Sequence, residues 1–235
     1  MTSTINLSDI NGSNGFVING IDSNDRSGGF VSSAGDFNGD GFDDVIIGAV
    51  SAGLYYTGES YVVFGNSTGW GSSFELSSLD GSNGFVINGV NGFDQIGSPV
   101  NSVGDINGDG FDDVIIGKPY GQEGYVVFGN SNGSSSFDLS SLDGSNGFVI
   151  NDIGDGSTTP SLKSAGDING DGFDDIIIGT YFGDGQGSSG GVESYVIFGS
   201  SSGFNSNLSV SALNGSNGFA ISGASSNNRT GYSVS

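Results

Sequence analysis

Apolar residues in this chain come in tight runs of four or five, each set between stretches of Gly, Ser, Asn and Asp. Asp-Val-Ile-Ile-Gly from Asp44, Tyr-Val-Val-Phe-Gly from Tyr61 and Gly-Phe-Val-Ile-Asn from Gly84 are representative. Runs this short, rich in β-branched and aromatic residues and bounded by turn formers, read as strands. Apolar spacing of three and four is absent and Gly is everywhere, so helix has little support. The runs are apolar on successive residues, not alternate ones, which predicts strands covered on both faces.

The runs also recur in a fixed order. Asn-Gly-Ser-Asn-Gly-Phe-Val-Ile-Asn-Gly begins at Asn11 and returns in close form at Asp80, Asp143 and Asn214, at separations of 69, 63 and 71 residues. A period this long makes each unit a block of several strands instead of one solenoid coil. Four strands are predicted in the first unit, over 30–34, 45–48, 61–64 and 85–88. Small residues dominate the first strand type (Ser32, Ser33 and Ala34; Ser102 and Val103; Ser164 and Ala165), as a crowded innermost strand requires.

Four-stranded antiparallel sheets stacked face to face around an axis meet these demands, so the expected fold is an all-β β-propeller. Full blades are expected over about 30–89, 98–152 and 161–223, with a lone outer strand at 14–20 and a lone inner strand at 231–235. That makes 14 strands, or about 3.5 blades, in one region spanning 1–235, whereas propellers usually close with about four to eight. The expectation is therefore a fragment, the favoured option, or a ring completed by another chain such as a second copy.

Composition narrows the function. The 235 residues include 26 acidic and four basic side chains (Arg26, Lys118, Lys163, Arg229), with no His and no Cys, for a net charge of −22. Nothing here neutralises phosphates, which excludes nucleic acid and anionic membrane surfaces as partners. Disulfides and thiolate metal sites are excluded, and the commonest general base is missing. Hydrophobic residues at 34% and seventeen Phe argue against disorder despite 46 Gly. No segment is long and apolar enough for membrane insertion as a helix. The start of the chain lacks the basic region and hydrophobic stretch of an N-terminal signal peptide.

The densest chemistry lies just before the second strand of each unit. Gly-Asp-Phe-Asn-Gly-Asp-Gly-Phe-Asp-Asp-Val-Ile-Ile-Gly begins at Gly35, with near-copies from Gly104 and Gly166. Side-chain oxygens fall at loop positions 1, 3, 5 and 9. They are Asp36, Asn38, Asp40 and Asp44, then Asp105, Asn107, Asp109 and Asp113, then Asp167, Asn169, Asp171 and Asp175. Position 7 offers the backbone carbonyl of Phe42, Phe111 or Phe173. Hard oxygen donors at this density, with Gly at position 6 for the turn, point to Ca²⁺ at three sites. An EF-hand is excluded because position 12 holds Ile47, Ile116 and Ile178 where its Glu would fall. Asx-turns without metal are the plain alternative, but three crowded sets of carboxylates repel one another in a way that turns alone do not require. Asp43, Asp112 and Asp174, at position 8, are expected to point away, capping turn amides or facing solvent.

This loop, with a downstream Tyr-Val-Val-Phe-Gly, resembles the FG-GAP repeat, the blade unit of the integrin alpha-chain propeller and its bacterial relatives. The resemblance covers nearly the whole chain and implies that each nine-residue loop joins the first and second strands of a blade and binds Ca²⁺. The Gly-Ala-Pro signature departs from the pattern, reading Gly48-Ala49-Val50, Gly117-Lys118-Pro119 and Gly179-Thr180-Tyr181. The resemblance implies a calcium-binding, secreted or surface-attached, non-enzymatic module that contacts a protein or glycan. The alternative is the propeller domain of a secreted Ca²⁺-dependent carbohydrate-active hydrolase or lyase. Glu59, Glu123 and Glu193 track the repeat instead of forming a unique acidic pair, which weighs against it. Tyr55, Tyr56, Trp70, Tyr120 and Tyr181 are candidates for glycan contact, or simply pack between blades and cover turns.

Overall fold

The computed structural model describes residues 6–154, 156, 159–180, 193–222, 231, 233 and 234. It is built of sixteen strands, β1 to β16, with no α-helix among the described residues. The first blade runs β2 (Phe30–Gly35), β3 (Asp44–Ala49), β4 (Glu59–Val63) and β6 (Gly84–Asn88), all antiparallel neighbours. The second runs β7 (Val100–Gly104), β8 (Asp113–Gly117), β9 (Glu123–Val127) and β11 (Gly147–Asn151). The third runs β12 (Ser161–Gly166), β13 (Asp175–Gly179), β14 (Glu193–Ile197) and β16 (Gly218–Ser222). The first blade thus matches its four predicted strands within a residue or two, and the other two repeat its order.

One element escapes the sequence pattern. Three-residue strands β5 (Ser73–Glu75), β10 (Ser136–Asp138) and β15 (Asn207–Ser209) precede the outer strands and pair in parallel with the outer strand of the unit before. Where that neighbour exists the four antiparallel strands of the blade are extended by one parallel edge strand into a mixed, five-stranded sheet. The lone outer strand appears as β1 (Val17–Asn19), paired with β5. Of the inner strand expected at 231–235, Tyr232 and Ser235 lie outside the described residues, and Gly231, Ser233 and Val234 are not in a strand.

The successive apolar residues are explained by stacking. Ile46 packs with Val62 and Ile87 against Val114 and Ile116 of the second blade. Its neighbour Ile47 points the other way, into a cluster with Tyr61, Phe74 and Leu76. In the second blade Ile115 turns toward Ile176, Ile178 and Ile197 of the third. At roughly 25 cal/mol per Å² of buried apolar surface, two covered faces are what make such short strands hold. The inner strands lie side by side, β7 between β2 and β12. Buried Asn101 joins two of them, donating to the Leu162 carbonyl (2.8 Å) and accepting from Lys163 Nζ (2.8 Å).

Each inner strand ends in a bulge before the acidic loop, at Ser33/Gly35, Ser102/Gly104 and Ser164/Gly166. The Ser hydroxyl accepts the Gly amide two residues on, at 3.0–3.2 Å. Gly35, Gly104 and Gly166 take φ of +65°, +73° and +64°, a conformation that costs a side chain. Their surroundings differ. A Cβ on Gly35 would lie 2.1 Å from Asp112 Oδ2, whereas one on Gly166 meets nothing within 4 Å among the described residues. Gly166→Ala should therefore cost only the backbone strain, about 1–2 kcal/mol. Gly35→Ala should cost clearly more, because it also displaces Asp112. Equal losses in urea titrations of the two variants would show that the contact between blades is inert.

Candidate functional site

The three acidic loops fold alike. At position 1, Asp36 accepts the amides of Asp40 and Gly41 (both 2.9 Å), and Asp105 and Asp167 do the same with Asp109, Gly110, Asp171 and Gly172. At position 3, Asn38, Asn107 and Asn169 each accept the position 5 amide at 2.8–2.9 Å. Their Nδ2 groups donate to Asp40, Asp109 and Asp171 at 2.8–3.0 Å. The position 5 carboxylates in turn accept the amides of Phe42, Phe111 and Phe173. This is the ladder of Asx-turns that short polar side chains build in a Gly-rich loop.

Position 9 is different because it is buried. Asp44, Asp113 and Asp175 are 0–1% exposed. One oxygen of each accepts the position 2 amide (Phe37, Ile106, Ile168) at 3.0 Å. The other accepts the amide of Gly65, Gly129 or Gly199, just past the third strand, at 2.8–2.9 Å. The carboxylate thus ties the loop to the far side of its own sheet. Burial raises the Asp44 pKa to about 7, and Asp40 and Asp36 add to it. Burial raises that of Asp113 to about 8, helped by Asp109 and Asp105. In these two loops positions 1, 5 and 9 therefore feel one another's charge, with no basic group among the described residues to offset it.

The donor set is all oxygen and suits a hard cation. The carboxylates are turned onto loop amides, and no three acidic side chains among the described residues converge closely enough to hold a metal as they stand. A cation here would exchange some amide contacts for carboxylate–metal ones, with Asp36, Asn38, Asp40, the Phe42 carbonyl and Asp44 as the nearby oxygens of the first loop.

Position 8 was underestimated by sequence reasoning. Asp112 and Asp174 do cap amides, but those of the preceding blade. Asp112 Oδ2 accepts from the Asp36 amide (2.8 Å) while the Asp112 amide donates to the Asp36 carbonyl (3.2 Å). Asp174 and Asp105 repeat this at 3.1 and 3.2 Å. The Phe111 and Phe173 rings sit over Gly39 and Gly108, where a Cβ would come within 2.5 and 2.2 Å of them. The loops are thus latched one to the next. The residue separations of 76 and 69 explain why no local pattern announced it.

The other candidates scatter. Trp70 packs edge-on against Phe74, with ring centroids 4.5 Å apart. Tyr56 leans on Phe93 (6.3 Å), and Tyr55 and Tyr120 are both 70% exposed. Tyr181 and the Glu193 side chain lie outside the described residues. Glu59 and Glu123 accept the hydroxyls of Tyr61 (2.7 Å) and Tyr125 (3.0 Å) within their own blades.

Comparison with known proteins agrees with the repeat. The model of the FG-GAP repeat matches residues 28–63, 100–136 and 164–196. Integrin alpha-5 of Xenopus laevis is 27% identical over 128 residues, covering 49% of this chain and 11% of that protein. Integrin alpha-4 of Xenopus laevis is 32% identical over 125 residues, covering 50% and 11%. Phosphatidylinositol-glycan-specific phospholipase D of Bos taurus is 29% identical over 222 residues, covering 86% and 25%. The chain therefore spans a quarter or less of the length of these relatives. Three stretches of the chain thus match the FG-GAP repeat, each carrying the same acidic loop, and integrin alpha chains are among the proteins it is similar to.

Proposed function

We propose that this chain is a calcium-stabilised propeller module that works by binding, outside the cell or at its surface, to a protein or glycan. The observation that carries the calcium reading is the threefold loop, with a buried carboxylate pressed against two further acids and no cation beside it among the described residues. Asp36, Asn38, Asp40, Phe42 and Asp44 would hold the first ion, Asp105, Asn107, Asp109, Phe111 and Asp113 the second, and Asp167, Asn169, Asp171, Phe173 and Asp175 the third. Bound calcium supplies charge neutralisation that the loop amides alone do not. Adhesion-type binding is supported by the repeat family and by the integrin alpha relatives. The phospholipase relative is an enzyme by its name, but this chain matches only a quarter of it, and its loop acids are committed to the repeat. No helix among the described residues is long and apolar enough to cross a membrane.

At calcium ten times above Kd, each site adds about 1.4 kcal/mol by linkage, so three sites add about 4 kcal/mol. For a chain of this size, chelation should lower Tm by about 8–16 °C. A melting curve unmoved by exhaustive chelation defeats the calcium reading. Asp109→Asn, at an exposed position, should reduce bound calcium from three ions to two while leaving the calcium-free Tm within about 2 °C. Equilibrium dialysis with a calcium electrode reads the stoichiometry.

The calcium-free protein has a distinct pH signature. Asp44 and Asp113 hold their protons in the fold up to about pH 7 and 8. In the unfolded chain they lose them near 3.8, so the folded state binds more protons between these limits. Stability in chelator should therefore be greatest near pH 4 on this account, fall as pH rises to about 8, and level off above. Urea midpoints that rise over this window would contradict the buried-carboxylate assignment.

A further inference from the structure

The first two blades differ at the end of the second strand, opposite the acidic loop. In the second blade Lys118 follows β8 directly. Its Nζ lies 2.9 Å from Asp94 Oδ1 and 3.5 Å from Glu123 Oε2. The Tyr125 hydroxyl donates to the same Glu123 carboxylate. One ammonium thus joins a carboxylate from the loop before β7 to one that opens β9.

The first blade has the same carboxylates without the ammonium. Asp25 stands six residues after Asn19, as Asp94 stands six after Asn88. Glu59 opens β4 as Glu123 opens β9, and Tyr61 donates to it as Tyr125 does to Glu123. At the place of Lys118 the first blade has Ala49, fully buried and paired with Glu59 in the strand register. Beside its strand partner Glu59 lies an open cavity of about 650 Å³, lined also by Asp22, Asp25, Tyr55, Tyr56 and Tyr61. The connection after β3 is longer here, 50–58 against 118–122 after β8, and it raises Tyr55 and Tyr56 as a wall. Burial, Glu59, Asp25 and Asp22 all push the Tyr61 hydroxyl pKa upward, so the three carboxylates act together on this spot.

We propose that this cavity binds a primary alkylammonium, as a free amine or a lysine side chain, between Asp25 and Glu59, where the second blade uses its own Lys118. The second blade is an internal control: equivalent carboxylates, on an equivalent framework, are seen holding such a group. Two carboxylates give the charge-assisted contacts, and the tyrosine rings offer faces for the cation and its alkyl stem. The cavity is far larger than a bare ion needs, which fits a ligand with a stem. It lies at the opposite end of β3 from the acidic loop and does not depend on calcium there.

Isothermal titration of the whole chain with n-butylammonium, at constant ionic strength, tests this. One saturable site is expected. Glu59→Gln should weaken it at least tenfold, and Ala49→Lys should abolish it by filling the cavity from within. Because Ala49 is buried and its variant is at risk of misfolding, Lys118→Ala supplies a second arm: vacating the second-blade site should raise the stoichiometry from one to two. Nα-acetyl-lysine amide distinguishes the sources. Binding at least tenfold tighter than butylammonium assigns the site to a partner's lysine, and equal binding assigns it to free amines. No saturable butylammonium binding, an unchanged stoichiometry in Lys118→Ala, or binding of calcium alone would overturn the inference.

Discussion

Every complete sheet of this protein is apolar on both faces, and no such sheet is stable alone in water. That constraint dictates the rest. Alternate residues of one strand must find two different partners, as Ile46 and Ile47 do, so blades stack and each core cluster belongs to two blades at once. The second strand of the first blade lies hard against the connection that leads into β7, where a Cβ on Gly48 would lie 2.0 Å from the Gly97 carbonyl. Glycine abundance here follows from close approach in a packed stack as well as from turns.

Stacking fixes where the polar work is done. Each acidic loop emerges at the same end of its blade, and the position 9 carboxylate is drawn into the stack as the first residue of the second strand. Burying a charge is unfavourable unless it is paired. Two amides hold each of these carboxylates, one from the loop and one from beyond the third strand, so the loop cannot shift without disturbing the sheet. A metal at such a site would act on the whole blade through that one residue. At the other end of the same strands the chain varies instead of repeating: Ala49, Lys118 and Thr180 occupy equivalent places. One end of each blade preserves shape, and the other is open to specialisation.

Much of this was legible in the chain. The runs of successive apolar residues require two-sided burial, and the long period requires multi-strand units, which together lead to stacked blades. The small first strands and the Asp-Asn-Asp spacing were equally readable, because both are local. Strands such as Ser73-Phe74-Glu75 were not, since one apolar residue between two polar ones carries no periodicity, and only the neighbouring outer strand makes it a strand. The role of Asp112 was hidden for the same reason, its partner Asp36 being 76 residues away. Lys118 showed as a departure from the repeat, but its meaning needed Asp94 and Glu123, brought together only by the fold.

The latch between loops has a direction. One side of a blade offers Phe and Asp at positions 7 and 8, and the other offers a glycine bed and an exposed amide. Phe37 and Ile106 are 1% exposed beneath a following blade, while Ile168 of the third blade is 50% exposed. Like sides cannot engage: two glycine beds have nothing to insert, and two Phe-Asp edges have nowhere to go. The repeat is thus a polar building block in the sense that a brick with a stud and a socket is. The latch itself therefore cannot mediate the symmetric, face-to-face pairing by which most proteins dimerise. It also lets a duplicated repeat join the row with its contacts already written, which is how one acidic loop becomes three without new chemistry.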